Sequence, residues 1–423
     1  MATTALRRKV EFISPTRQRV MGVFFLVVAF SIWFFFSRPI DSGQITTFVL
    51  TPGRFDETLG DWELPTLAAL NVLAFASAFL GGVQLVRARG FGQYTNLVLG
   101  AVAAFFIFGF LTWAAAGRSL NLASLLNTTV SKAVPITLGA LSGVLCERAG
   151  VVNIAIEGMM LTGALAAAVA ASVAGNLWVG VLAAVLVGAI LGLIHAVLSI
   201  KYVVNQIVSG TVINIFAIGM TSYIASKFLN VNRELNSPGI FPVTEVPILS
   251  SIPFFGPVLF NNNMFVYAMF LFLVILHVGL FKTRWGLRMR SVGEHPRAAD
   301  TLGINVFRTR YMAVILGGMM AGFAGAYFTL GSVGRFNEVM TAGRGFIGLA
   351  AMIFGNWNPF GAFGAGLLFG FADSLASRLA ILNVQIPSQF LLMAPYIATM
   401  IVLAGVVGRG QMPAADGTPY EKQ

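Results

Sequence analysis

Apolar residues run along this chain in stretches of about 20 positions, the length that carries an α-helix across the roughly 30 Å hydrocarbon layer of a bilayer. The stretches fall near 21–37, 66–86, 97–115, 122–145, 154–174, 177–200, 203–229, 263–281, 311–332, 343–356, 359–378 and 387–407. This pattern predicts an all-α, polytopic membrane protein with about 10–12 transmembrane helices. Segment 343–356 is short enough to enter the membrane and turn back as a half-helix. Between the runs lie two loops of unusual character. One, at 230–262, is punctuated by Pro238, Pro242, Pro247, Pro253 and Pro257, so it cannot be helical throughout. The other, at 282–310, carries seven bases (Lys282, Arg284, Arg288, Arg290, Arg297, Arg308 and Arg310) against Glu294 and Asp300.

Charge sets the orientation. Arg7, Arg8, Lys9, Arg17 and Arg19 precede the first run, which leaves through Phe34, Phe35, Phe36, Ser37, Arg38 and Pro39. An exit of that kind lacks the small residues of a cleavage site, so the run reads as a retained first span with a cytoplasmic N-terminus. The bases at Arg87 and Arg89, Lys201, 282–310 and Arg409 then fall on one side. Both termini are expected in the cytoplasm, with the protein in the cell membrane. The acidic loop 37–65 and the proline-rich loop 230–262 are expected outside. The chain divides into a basic N-terminus (1–20), an extension of about three spans (21–115), a core (116–407) and a tail (408–423). The tail has no apolar stripe to bury and is expected to be disordered.

Composition agrees: 57% of the 423 residues are hydrophobic and 10% charged, with a mean hydropathy of +0.83. Against 16 acids stand 27 Lys and Arg. In a membrane protein this excess points to anionic lipid rather than to nucleic acid. The single cysteine, Cys146, excludes an intrachain disulfide and any cysteine cluster. His195, His277 and His295 lie on separate segments without metal spacing, so no metal site is expected. No G-x-S-x-G elbow, H-E-x-x-H pair or G-x-x-x-x-G-K-[ST] phosphate loop occurs, which leaves catalysis and direct ATP binding without a sequence basis. Several of the 46 glycines fall as small-xxx-small pairs: Gly139 and Gly143, Gly188 and Gly192, Gly318 and Gly322, Gly366 and Gly370. Such pairs let helices approach closely in lipid.

Polar side chains inside spans are costly and tend to face a bundle interior or a water path. By that criterion Asn153, Glu157, Asn205, Gln206, Asn214 and Asp373 are the candidates for a solute pathway, with helix-to-helix hydrogen bonding as the competing role. Phe216, Phe346 or Trp357 would supply an aromatic wall. Glu147 and Arg148, adjacent where the fourth run ends, read as architectural.

Three stretches carry a family resemblance. Residues 283–326 (TRWGLRMRSVGEHPRAADTLGINVFRTRYMAVILGGMMAGFAGA) resemble the T-x-x-G-x-x-x-R-A-x-G-x-x-x-x-A-A-x-x-x-G-I segment of permease subunits in ATP-binding-cassette (ABC) importers for branched-chain amino acids, ribose and nucleosides. Residues 147–164 (ERAGVVNIAIEGMMLTGA) look like the signature of the nucleoside and simple-sugar branch. Residues 343–371 are similar to the family's glycine-rich C-terminal pair of segments. Ser291 replaces the usual small residue after Arg290, and the first 115 residues exceed the family's short N-terminal region.

The resemblance implies a subunit that is not an enzyme and binds no cofactor. It would move a nucleoside or simple sugar, with ATP and Mg held by partner ATPases, alongside a second permease and an extracytoplasmic binding protein. A branched-chain amino acid permease and an ATP-independent carrier are the alternatives. It further implies that Gly293, Glu294, Pro296, Arg297, Ala298, Ala299 and Gly303 form the helix that docks on the ATPase, with Gly293 and Gly303 setting its ends.

Overall fold

The computed structural model describes residues 15–52, 59–87, 90–382, 387, 389–390, 392–393 and 411–422. Most of the predicted run 387–407, and residues 1–14 of the basic N-terminus, lie outside the described residues. Among the described residues, ten helices are long and apolar enough to cross a membrane. The chain forms two compact units, Met1–Leu122 with Leu379–Gln385, and Ala123–Arg378 with Ile386–Gln423.

In the first unit, α1 (Pro15–Ser31) runs on through a wider π-type turn at Ile32–Ser37. It packs with α2 (Thr66–Val86) and α3 (Thr95–Ala114) around Ile32, Phe36, Leu70 and Ala74. Phe36 lies 5.7 Å from Phe110 and 5.5 Å from Trp113, ring to ring. Phe75, Phe79 and Leu97 face outward, as suits helices whose surroundings are lipid. The segment expected to be a plain acidic loop instead forms most of a small sheet. Strand β1 (Ile45–Val49) lies between β2 (Trp62–Pro65), antiparallel with Phe48 opposite Trp62, and β3 (Ser119–Asn121), parallel. Its Ile-Thr-Thr-Phe-Val run is rich in β-branched residues, and Thr46 is fully buried, bonded to Thr66 and to the Thr112 carbonyl.

The second unit holds α4 (Leu122–Glu147), α5 (Ile156–Ala174), α6 (Leu177–Ala196), α7 (Gln206–Ile224), a short α8 (Phe255–Leu259), α9 (Met264–Lys282), α10 (Arg284–Glu294), α11 (Pro296–Thr301), α12 (Val306–Ala326), α13 (Arg344–Phe354) and α14 (Pro359–Ile381). The glycine pairs do what close packing needs. A Cβ on Gly188 would sit 2.2 Å from the Gly318 carbonyl oxygen, and one on Gly322 would sit 2.1 Å from that of Ala184, so α6 and α12 meet backbone to backbone. On the other side of α12, Gly325 approaches the Met160 carbonyl of α5 just as closely. Helix α13, 11 residues long, rises about 16 Å. That is about half the hydrocarbon thickness, too short for a full crossing.

Proline in α4 has a specific consequence. Pro135 has no N–H to give to the carbonyl of Ser131, one turn earlier. The Tyr327 hydroxyl, from the π-type turn that extends α12, donates to that carbonyl at 2.7 Å. An orphaned acceptor inside the bundle is thereby satisfied from a neighbouring helix.

Loop 230–262 is tied down at its ends. Asn236 exchanges bonds with the Phe336 backbone, Phe241 donates its N–H to the Leu330 carbonyl, and β4 (Thr244–Glu245) pairs with β5 (Asn261–Asn262). Ile248 and Phe255 remain exposed.

The tail differs from expectation. Residues 411–422 are packed, with Pro413, Ala415, Asp416 and Tyr420 buried. The apolar contribution comes from single residues seated in existing gaps rather than from a stripe, which is why a periodicity search does not find it.

Candidate functional site

The stretch 147–158 is a hub at which polar groups from several elements meet. Trp357 donates its indole N–H to the Glu147 carboxylate at 2.5 Å, while Arg148 Nε donates to the Trp357 carbonyl at 2.9 Å. Burial lowers the pKa of the Arg148 guanidinium, with nearby Glu294 acting in the opposite sense. His195 lies between the Val152 carbonyl and Ser209 Oγ. Since a carbonyl only accepts, Nε2 of His195 carries the proton and Nδ1 accepts from the serine hydroxyl. Gln206 Oε1 accepts the Val152 N–H, and Asn214 takes the Gly158 N–H while donating to the Ile154 carbonyl. Asn153 accepts the Ala155 N–H within its own turn, and Asn205 caps α7 by accepting from Ile207 and Val208.

Glu157 reaches furthest. Its carboxylate accepts Thr341 Oγ1 at 2.6 Å, Gly343 N at 2.8 Å and Gly345 N at 2.6 Å, so it occupies the N-terminus of α13. A negative charge is favourable there because the first N–H groups of a helix lack partners of their own.

Asp373 stands apart from the other five pathway candidates. Lys132 Nζ lies 3.1 Å from its Oδ1 and Arg344 Nη2 lies 3.2 Å from its Oδ2, all three side chains being about a quarter exposed. Asp373 and Arg344, but not Lys132, border a cavity of about 290 Å³ whose lining also includes Ile136, Ile347, Phe369 and Leu392. This is near the lower edge of small-molecule pockets, about 300 to 1,000 Å³. One carboxylate, the Arg344 guanidinium and the Phe369 ring can together offer both polarities of hydrogen bond and a flat apolar wall. Sequence reasoning missed Lys132, Arg344 and Phe369. Lys132 had a signal, a lone charge within an apolar run. The suggested aromatic wall is elsewhere: Phe216 and Phe346 are about half exposed, and Trp357 is bound to Glu147.

At the α9 to α12 connection, Thr283 Oγ1 caps α10 by accepting the Gly286 N–H. Gly286 passes within 2.2 Å, at its absent Cβ, of the Gly279 carbonyl. That explains the T-x-x-G spacing. The break between α10 and α11 falls at His295, not at Gly293. Gly293 lies in the last turn of α10, where a Cβ would come 2.3 Å from the Arg148 carbonyl, so its glycine serves a close approach. Pro296 opens α11 at its first position, where its missing N–H costs nothing. Gly303 follows α11 at φ +81°, with its N–H bonded to the Asp300 carbonyl. Ala299 is buried, whereas Glu294, Arg297 and Ala298 are exposed, as is Leu302.

A family model described as the permease component of a branched-chain amino acid transport system matches residues 124–407. The guanosine ABC transporter permease protein of Bacillus subtilis is 40% identical over 303 residues, covering 70% of this chain and 95% of that protein. The nucleoside ABC transporter permease protein of Lactococcus lactis is 39% identical over 303 residues, covering 68% and 93%. A putative glucose ABC transporter permease protein of Haloferax volcanii is 34% identical over 309 residues, covering 68% and 92%. No solved structure matches the chain. The family model spans most of the second unit, from α4 through the Glu157, Asp373 and α11 regions, and the chain belongs to this family of multi-pass transport-system permease components.

Proposed function

We propose that this chain is the membrane-spanning permease of an ABC importer whose solute is a nucleoside or a simple sugar. One observation carries the reading. Between two spans stands a six-residue helix, Pro296–Thr301, bounded by a one-residue break and a left-handed glycine. Its Ala299 side is buried, and Arg297, Ala298 and Leu302 present a free face. A short helix of this kind offers a cytoplasmic motor a rigid handle. Displacement of α11 would shift α10 and α12, and with them the bundle that opens to one side or the other.

On this reading both termini and the α10–α11 corner face the cytoplasm, where ATPase subunits bring ATP and Mg. A second permease, homologue or copy, completes the pathway. Loop 230–262 receives an extracytoplasmic binding protein. The cavity at Asp373 is the solute subsite of this chain. There Arg344 would donate to base or hydroxyl oxygens, Asp373, held by Lys132, would accept from hydroxyls, and Phe369 would stack on a ring. The names of the relatives support a nucleoside or sugar over a branched-chain amino acid.

The test is pull-down of the detergent-solubilised protein from its native membrane. Recovery of an ATPase, a second permease and a binding protein specific for nucleosides or sugars is expected. Recovery of the chain alone, with solute uptake that needs no ATP, would leave an ATP-independent carrier as the account.

A further inference from the structure

Helix α11 is too short to hold its own shape, since a single turn of helix does not recover the entropy of forming it. What seats it is therefore informative. The apolar cluster under Ala299 consists of Val292 from α10, Val306 from α12 and Tyr420 from the C-terminal segment. The Tyr420 ring also packs against Phe307, centroid to centroid at 5.4 Å.

The backbone of the same segment is fastened at four more places. Ala415 donates its N–H to the Gly293 carbonyl at 2.9 Å, and Ala414 donates to the Glu294 carboxylate at 3.2 Å. Arg310, 2% exposed, donates from Nη1 to the Thr418 carbonyl at 2.9 Å. Gln411 donates its N–H to Asn356 Oδ1 at 2.7 Å. Asn356 lies in the corner between α13 and α14, next to the Trp357 that holds Glu147 and Arg148. Asp416 is buried in this seat, and burial pushes its carboxyl up to about 6, with the Arg310 charge acting in the opposite sense.

We propose that Gln411–Lys422 is a positioning strap for the coupling helix. It backs α11 through Tyr420, grips the last turn of α10 at Gly293, and ties both to the α13–α14 corner at Asn356. Ala298 and Leu302 of α11 stay exposed, while the strap backs Ala299, reaches Asp300 through Lys422 and shares a cavity with Pro296 and Arg297. A push on α11 is then delivered to α13, whose other end borders the Asp373 cavity, instead of being lost in rotation of a loosely seated turn. This inference rests on the reading of α11 as the ATPase handle.

The experiment uses the full permease reconstituted in vesicles with its ATPase, second permease and binding protein, and measures ATP hydrolysed per solute imported. Tyr420→Ala should raise that ratio by roughly tenfold or more, through the loss of a buried aromatic seat, while the protein level and its recovery with the ATPase stay near wild type. Tyr420→Phe keeps the ring and should keep the ratio. A chain ending at residue 410 should behave as Tyr420→Ala or worse. Should the truncated chain not accumulate, the Tyr420 pair decides alone. An unchanged ratio in Tyr420→Ala overturns the strap. Equal damage in Tyr420→Ala and Tyr420→Phe also overturns it, since the ring is the seat. If wild-type uptake itself needs no ATP, the failure belongs to the reading of α11 and not to the strap.

Discussion

The carboxylate of Glu157 on α5 accepts the backbone N–H of Gly345 at 2.6 Å, across 188 positions of sequence, and so pins the start of half-helix α13. Two further donors, Thr341 Oγ1 and Gly343 N, complete its set. Glu157→Gln replaces one acceptor oxygen by an amide that confronts donors. We expect a loss of about 2 kcal/mol, the scale of hydrogen bonds to a charged group, visible as a lower thermal midpoint of the solubilised protein. An unchanged midpoint would show that α13 is held by other means.

Tyr327 and Pro135 make a second pair that can be separated experimentally. Tyr327→Phe removes the donor to the Ser131 carbonyl and should cost about 1 to 3 kcal/mol. In a Pro135→Ala background the helix can supply that donor itself, so the Tyr327→Phe cost should shrink. Equal costs in both backgrounds would mean that the hydroxyl does not stand in for the missing N–H.

Crossing of α6 and α12 depends on the absence of a single atom. Gly322→Ala places a Cβ 2.1 Å from the Ala184 carbonyl oxygen and should sharply reduce folded protein. Gly364→Ala, at a helical position with open space, should change stability by no more than about 0.5 kcal/mol. Similar behaviour of the two variants would contradict the packing described.

For the Asp373 cavity, stability and transport should part company. The ion pairs are about a quarter exposed, so Asp373→Asn should cost about 1 kcal/mol or less in stability. If the carboxylate accepts from the solute, uptake should fall about tenfold or more with a raised KM, as expected for a lost charged contact. Loss of stability with unchanged uptake would make the cluster architectural.

The helical spans were legible because a bilayer imposes one length and one polarity on every crossing segment. The small-xxx-small pairs named the faces of α6 and α12, although nothing in the sequence says that they meet each other. Polar residues in the spans were harder to interpret. Asn153, Gln206, Asn214 and Glu157 satisfy backbone groups of broken or short elements, and only the fold shows which groups those are. Lys132 reads in the sequence as one charge in an apolar run, while its meaning lies in Asp373, 241 positions away. The packing of the tail has no periodic signal for a related reason: Tyr420 fills a gap made by Val292, Ala299 and Val306, and a lone aromatic carries no period.

Gly303 links the corner to energy coupling. With φ at +81° and nothing within 4 Å of its absent Cβ, a substitution there meets no clash, and its penalty is the left-handed backbone, about 1 to 2 kcal/mol. Gly303→Val should therefore shift the end of α11, leaving ATP hydrolysis intact while uptake falls. Unchanged uptake would remove Gly303 from the coupling role.

The most direct test of the account is uptake of labelled nucleosides and simple sugars by vesicles containing this chain with its ATPase, second permease and binding protein, with and without hydrolysable ATP on the ATPase side. The account predicts uptake of a member of one of these classes that stops when ATP is replaced by a non-hydrolysable analogue. Full uptake without ATP hydrolysis would contradict it.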